Sequence, residues 1–178
     1  MKIKGQVWIE TVIYTVIMLS IIGIVLAVVK PTIQERQDKF IIENSIESLN
    51  IIESKIQELL VYGPGNTREI SEIMIKKGKM RINSENDTIE FEIDSKYSYS
   101  QPGKEVKRGS INILTEQKAN DYKIKLYLKY KEKNVNITYN GKEENKELTQ
   151  TPIPYKIYIR NVKYEETTSK YQIDFILS

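Results

Sequence analysis

Cysteine and histidine are both absent from this chain of 178 residues. Without cysteine there is neither a disulfide framework nor a thiolate metal site. Without histidine, most acid–base and nucleophilic arrangements lose their usual member. No phosphate-binding glycine loop, nucleophile elbow or carboxylate motif at a useful spacing replaces them, so the chain reads as non-enzymatic and free of cofactors, with a carboxylate-only site left formally open. An excess of one charge is lacking too. The 27 Lys and Arg are mixed among 24 Asp and Glu for a net charge of +3, which gives no field to steer nucleic acid, and no nucleic-acid partner is expected. The length suits one compact domain plus an extra element, and is too short for two ordinary domains.

What is present is hydrophobicity concentrated at one end. Residues 12–29 read VIYTVIMLSIIGIVLAVV without a single charge. As a helix this run spans about 27 Å, and adding residues 7–11 takes it past the roughly 30 Å thickness of a bilayer's hydrocarbon core, so a membrane span is expected with lipid as its surroundings. A conventional secretory signal fits poorly. The apolar run is too long, and Ala27 stands alone before Val28, Val29, Lys30 and Pro31 without an Ala-x-Ala site.

Met1-Lys2-Ile3-Lys4-Gly5 form a minimal basic leader that ends in glycine just before the apolar segment. Gly5 has no Cβ to obstruct a protease that must hold extended backbone in its cleft. Lys2 and Lys4 favour the cytoplasmic side, which sends the chain after Val29 outward. Glu10 is the exception in the span: a carboxylate costs about 2.5 to 3.5 kcal/mol at mid-bilayer and so needs a reason. Lys4-Gly5-Gln6 followed by Glu10 resembles the class III signal of archaeal type IV prepilins. The likeness covers roughly residues 2 to 30. It implies cleavage by a prepilin peptidase after Gly5, Gln6 as the mature N-terminus, and Glu10 at mature position five, paired with the N-terminal amine of a neighbouring subunit. Gln6 in place of the bacterial Phe is archaeal-like; Trp8 suits an interfacial anchor. The alternative for Glu10 is a place at the cytoplasmic headgroup level of an uncleaved signal anchor.

After Val29, Pro31 either kinks the helix or restarts one as its first turn. From Ile33 onward, Phe40, Ile41, Ile46, Leu49, Ile52, Ile56, Leu59 and Leu60 recur at spacings near three and four. That pattern predicts an amphipathic helix of about 28 residues whose apolar stripe covers a sheet. Gly63-Pro64-Gly65 ends it. The chain thus divides into a leader 1–5, a helix 6–62 that is membrane-spanning to about 29 and amphipathic beyond, and an extracytoplasmic β-rich domain 66–178. The fold class is α+β, a long N-terminal helix packed on an antiparallel β-sheet head.

Past Gly65 the apolar period shortens to two. Strands are expected at 69–75, 80–83, 88–99, 110–116, 122–131, 134–139, 155–161 and 170–177. Ile89, Phe91 and Ile93, with Ile124, Leu126 and Leu128, should face the helix. Asn140-Gly141 signals a type I′ hairpin between 134–139 and a short strand at 146–149. Thr151-Pro152-Ile153-Pro154 cannot continue a central strand and should cross between sheet sections or follow an edge. Ten of the twelve tyrosines follow residue 90, which fits half-buried positions on sheets better than an adhesive patch. Glu143-Glu144 and Glu165-Glu166 lack the ligand spacing of a calcium loop and read as solvated turns. Asn86-Asp87-Thr88 and Asn136-Ile137-Thr138 are glycosylation sequons, the first in an expected turn and the second in a strand.

Four functions compete. The leading expectation is a structural pilin-like subunit that self-assembles with other pilin subunits into a cell-surface filament, with adhesion an associated role. A permanently anchored surface protein with a ligand- or partner-binding β-domain is the second, and a minor pilin or pseudopilin of a secretion or uptake machine the third. An enzyme is remote.

Overall fold

A computed structural model describes residues 3–178, with side chains described from residue 8; Met1 and Lys2 of the expected leader lie outside the described residues. One helix, α1 (Ile3–Tyr62), runs through Pro31 as a single element of 60 residues, close to 90 Å long at 1.5 Å per residue. Pro31 removes one backbone hydrogen bond at the junction of the apolar and polar halves, a local weakness of about 3 kcal/mol in a helix interior.

The two halves of α1 have different surroundings. Every residue from 8 to 37 is exposed. Burial begins at Asp38 and continues through Ile42, Ser45, Ile46, Leu49, Ile52, Ile56 and Leu59, a stripe at the helical spacing that the apolar pattern predicts. Phe40 is a correction. It is 58 % exposed, while Ile42 occupies the core; at 100° per residue the two point to nearly opposite sides of the helix. The Lys76 ammonium lies over the Phe40 ring, 5.3 Å from its centroid. The helix ends as expected. Gly63 adopts φ 80° and donates its N–H to the Leu59 carbonyl at 3.0 Å, the left-handed cap that glycine takes without a Cβ penalty.

Ten strands follow: β1 (Thr67–Ile73), β2 (Lys79–Asn83), β3 (Thr88–Ser95), β4 (Glu105–Arg108), β5 (Ile111–Lys118), β6 (Asp121–Lys129), β7 (Val135–Tyr139), β8 (Lys146–Thr149), β9 (Tyr155–Glu165) and β10 (Lys170–Leu177). The expected strands are present with shifted ends, and β4, short and mostly exposed, is an addition. The head has two sheets instead of one. A six-stranded antiparallel sheet has the order β4-β5-β6-β3-β2-β8, and a four-stranded sheet has the order β1-β9-β10-β7, in which β10 and β7 run parallel.

The Asn140–Gly141 turn forms, with both residues at positive φ and reciprocal bonds of 2.9 and 3.0 Å between Tyr139 and Lys142. The hairpin does not extend. β8 pairs with β2 in the other sheet, because the chain after the turn is caught by Ser84, whose N–H reaches Asn145 Oδ1 at 2.9 Å and whose hydroxyl reaches the Glu144 carbonyl at 2.9 Å. Residues 151–154 then cross from the six-stranded sheet to the four-stranded one, as their prolines require.

Both sheets lay apolar faces on α1. Ile89, Phe91 and Ile93 of β3, Ile124, Leu126 and Leu128 of β6, Ile157 and Ile159 of β9, and Ile173 and Phe175 of β10 join the helix stripe in one core. Asp87 staples the two sheets at φ 50°: its carboxylate accepts the Ile137 N–H at 2.9 Å and meets Lys170 Nζ at 3.3 Å.

Candidate functional site

The apolar half of α1 is the feature that a soluble fold does not explain. It is long and apolar enough to cross a membrane by length and composition, and none of its most apolar window is buried against the head. Two of its hydroxyls are satisfied within the helix. Thr15 Oγ1 donates to the Thr11 carbonyl and Ser20 Oγ to the Val16 carbonyl, each at 2.8 Å, which leaves neither hydroxyl donor unpaired on this apolar surface. From Trp8 to Val29 the helix rises about 32 Å, matching the hydrocarbon core of a bilayer.

The expected processing residues Lys4, Gly5 and Gln6 belong to the first turns of α1, and their side chains lie outside the described residues. A cut after Gly5 therefore requires the first turns to open, a small step where helix ends fray and glycine is a poor helix former. Glu10 is exposed, and the described residues give it no ion-pair partner. An amine at Gln6 would lie one helical turn, about 6 Å, along the axis from Glu10.

The head is fastened to α1 at four levels. Nearest the span, Asp38 is 4 % exposed and accepts from Lys77 Nζ at 2.5 Å and from the Lys96 N–H at 2.7 Å. One turn on, Glu43 meets Arg108 at 2.6 Å and the Tyr99 hydroxyl at 3.0 Å. Partial burial pushes the Glu43 carboxyl up, but the bonds from Arg108 and Tyr99 outweigh it and hold the group below its ordinary value. In the middle, the Tyr130 hydroxyl donates to Glu53, whose other oxygen meets Lys133 Nζ at 2.8 Å. Burial again pushes Glu53 up, and Lys133 and Tyr130 more than reverse it. Burial and the Glu53 charge both drive the Tyr130 hydroxyl well above its ordinary value. At the far end, Asn161 Nδ2 donates to the Leu59 carbonyl at 3.0 Å. Helix and head are thus joined along some 30 Å of α1.

On the head, a groove of about 390 Å³ crosses the outer face of the six-stranded sheet, lined by residues that include Arg81, Glu90, Lys125, Tyr127 and Lys129. Its cations are already matched within the chain: Arg81 by Glu147 at 3.1 Å, Lys125 by Glu116 at 2.7 Å and Lys129 by Glu105 at 3.5 Å. Burial, then the neighbouring Glu105, keeps the Tyr127 hydroxyl protonated far into the alkaline range. Of the ten tyrosines after residue 90, all but Tyr164 are buried or half-buried, as the sheet reading expects. Among the described residues no group of three or more acidic side chains is placed to hold a metal ion.

Asn86 is exposed in the β2–β3 turn, while the other residues of its sequon, Asp87 and Thr88, are buried. Asn136 is half-buried in β7, and Thr138 of that sequon gives its hydroxyl to Asp174 at 2.8 Å. A sugar is therefore better accommodated on Asn86 than on Asn136. Three anchoring residues carry no sequence signal: Asp38, Asp87 and Asn161 are polar residues in polar stretches, and only the tertiary fold buries them. Comparison with family models, with curated proteins and with solved structures finds no match, so the reading of this chain rests on its own residues and geometry.

Proposed function

We propose that the chain is a type IV pilin-like structural subunit, inserted in the membrane through residues 8–29 with its head outside the cytoplasm, processed after Gly5, and assembled through α1 into a cell-surface filament. One observation carries the reading. A 30-residue stretch of helix, 8–37, has no buried residue, yet the second half of the same helix is packed into the core of a folded head. Such a stretch needs a second environment, first lipid and then the helices of other copies. Glu10, the one carboxylate in the apolar segment, supplies a reason for the two environments to exchange. Removing residues 1–5 creates an ammonium group that a neighbouring Glu10 can neutralise, and two opposite charges a few ångströms apart attract strongly in apolar surroundings.

The test is the mass of the N-terminal peptide of the protein recovered from cell envelopes. A start at Gln6 supports processing; retention of residues 1–5 overturns it and leaves an anchored surface protein. If the mature form is found, Glu10→Gln should abolish or strongly reduce filaments, and normal filaments would remove the charge pairing.

A further inference from the structure

The end of the head nearest the span is assembled from three separate pieces of chain that Asp38 draws together. It bonds Lys77, between β1 and β2, and the backbone of Lys96, just past β3. The result is a basic collar. Lys30, Arg36 and Lys39 come from α1, Lys76 and Lys77 from the β1–β2 connection, and Lys96 from the end of β3. The carboxylates at this level are Glu35, exposed on α1, the buried Asp38, and Asp121, which Lys96 meets, besides Asp94, which Lys118 neutralises; Glu47 and Glu72 share a cavity with Lys76 but stand nine positions beyond Asp38 on α1 and four before Lys76 on β1. Glu43, one turn beyond, is matched by Arg108. With the Asp94–Lys118 pair set aside, the six cations exceed Glu35, Asp38 and Asp121 by three charges. Lys39 and Lys76 lie over the rings of Tyr97 and Phe40, at 5.6 and 5.3 Å from the centroids, which positions the ammonium groups without neutralising them. A cavity of about 280 Å³ opens among them, lined in part by Gln34, Gln37 and Lys96. Farther from the span, cations of the head meet carboxylates of α1 one to one, Lys133 with Glu53 at mid-helix and Arg68 with Glu58 near its end.

The position of the collar along α1 gives it a partner. The uncharged run ends at Val29, which puts Lys30 at the hydrocarbon boundary. Arg36 and Lys39 then stand about 9 and 14 Å farther along the axis, where the headgroup layer occupies the first 5 to 7 Å or so. All six cations are thus in the headgroup layer or within about one Debye length of it, the range in which Lys and Arg are attracted to anionic lipid. We infer that the collar docks the head on anionic lipid headgroups while the subunit is in the membrane. The inference rests on the reading that residues 8–29 span a bilayer and deepens it. The anchored subunit stands with its base on the membrane, and leaving the bilayer requires that contact to be broken.

The absence of cysteine allows a clean test with the full chain. Gln37→Cys places a thiol in the collar, and Val61→Cys, 84 % exposed in wild type, places one at the far end of α1, about 36 Å away. Each protein is reconstituted into vesicles of phosphatidylcholine alone or with one third phosphatidylglycerol, and labelled with an uncharged polyethylene glycol maleimide. Labelling at position 37 should be roughly fivefold or more slower in the anionic vesicles at low salt, with the difference lost at high salt. Position 61 should be indifferent to lipid. Adding Arg36→Gln, Lys39→Gln and Lys76→Gln, three changes at exposed positions that leave Asp38 and Lys77 intact, should erase the effect. Equal rates at position 37 in both lipids overturn the inference while leaving the span in place. Protection that tracks protein density instead of lipid charge also overturns it and points to an acidic face of a second copy. Extraction of the protein by alkaline carbonate sinks the membrane reading and the inference together.

Discussion

Tyr130→Phe isolates one fastening between helix and head with almost no change of shape. Tyr130 is fully buried, and its hydroxyl is the only group donating to Glu53 Oε2 among the described residues, since Lys133 and Gln57 both take Oε1. Deleting the hydroxyl leaves a carboxylate oxygen, in a side chain only 12 % accessible, without a donor. A hydrogen bond to a charged group contributes about 1.5 to 3 kcal/mol, so the expected loss is about 2 kcal/mol. For a head of this size that corresponds to about 6 °C in Tm. The assay is thermal unfolding of the full chain in detergent, followed by near-ultraviolet circular dichroism of the tyrosines, ten of which lie in the head. The pH profile adds a second constraint. Glu53 is pushed up by burial but held below its ordinary value by Lys133 and Tyr130, so its contribution is present above the unfolded value near 4.5 and lost as pH falls through the lower folded value. Tyr130 is raised above its ordinary value of 10.0, so its contribution is present below pH 10 and lost as pH climbs beyond it. The gap between wild type and Tyr130→Phe should therefore be widest between those limits and narrow at both ends. A shift under 1 °C at neutral pH, or a gap unchanged from pH 3.5 to 7, would refute the assignment.

Three further outcomes follow from packing and backbone geometry. Ile56→Ala should cost about 2 to 5 kcal/mol because Ile56 is fully buried at the centre of the helix stripe, whereas Ile51→Ser on the opposite, solvent side of α1 should stay within about 0.5 kcal/mol; denaturant melts of the two proteins compare them directly. Gly78→Ala should destabilise by about 3 kcal/mol or prevent folding, since Gly78 has φ 79° and a Cβ there would sit 2.1 Å from the Glu92 carbonyl oxygen. Its expression and melting temperature set against Gly103→Ala, where the same φ class meets open space, separate the clash from the dihedral cost. Asp87→Ala should loosen the seam between the two sheets, at about 2 to 4 kcal/mol for two lost bonds to a buried carboxylate, and hydrogen exchange should show the loss first at the Ile137 amide.

The parts of this fold that were legible in the sequence are those set by neighbours within a few positions. The stripe from Ile46 to Leu59 follows from a 3.6-residue period, and the alternation of Ile89, Phe91 and Ile93 from a period of two. Gly63 marked the helix end because its φ value is a local requirement. Sheet membership was not legible. Asn140–Gly141 specifies a tight turn and nothing about which strand receives the chain afterwards; that choice depends on Ser84, some 60 residues earlier, holding Asn145 and Glu144. Phe40 lies outside the core for a related reason: Phe40, Ile41 and Ile42 are consecutive apolar residues in mid-helix that point to different sides, and which side is buried is undetermined until the sheets supply it.

The candidate site divides along the same line. The apolar run and its single carboxylate are properties of residues 7–29 alone and could be read directly. The anchoring of the head could not, because Asp38 acquires its meaning from Lys77 and Lys96, brought to it by two different connections. Glu10 goes one step further, since none of the described residues of the folded chain supplies an ion-pair partner for it. It lies 28 positions before the first buried residue of α1, about 42 Å along the helix axis, beyond the reach of any side chain of the head. Whatever neutralises it in an apolar environment must come from the helix's own N-terminus or from another molecule. If the protein assembles as proposed, a chain without residues 1–29 should keep the stability of its head and form no filament. Glu10→Gln in the full chain should do the same, with an unchanged melting temperature of the head beside a change in oligomeric state. A lowered head Tm in Glu10→Gln would mean that the carboxylate acts within the chain, and would count against an intermolecular role.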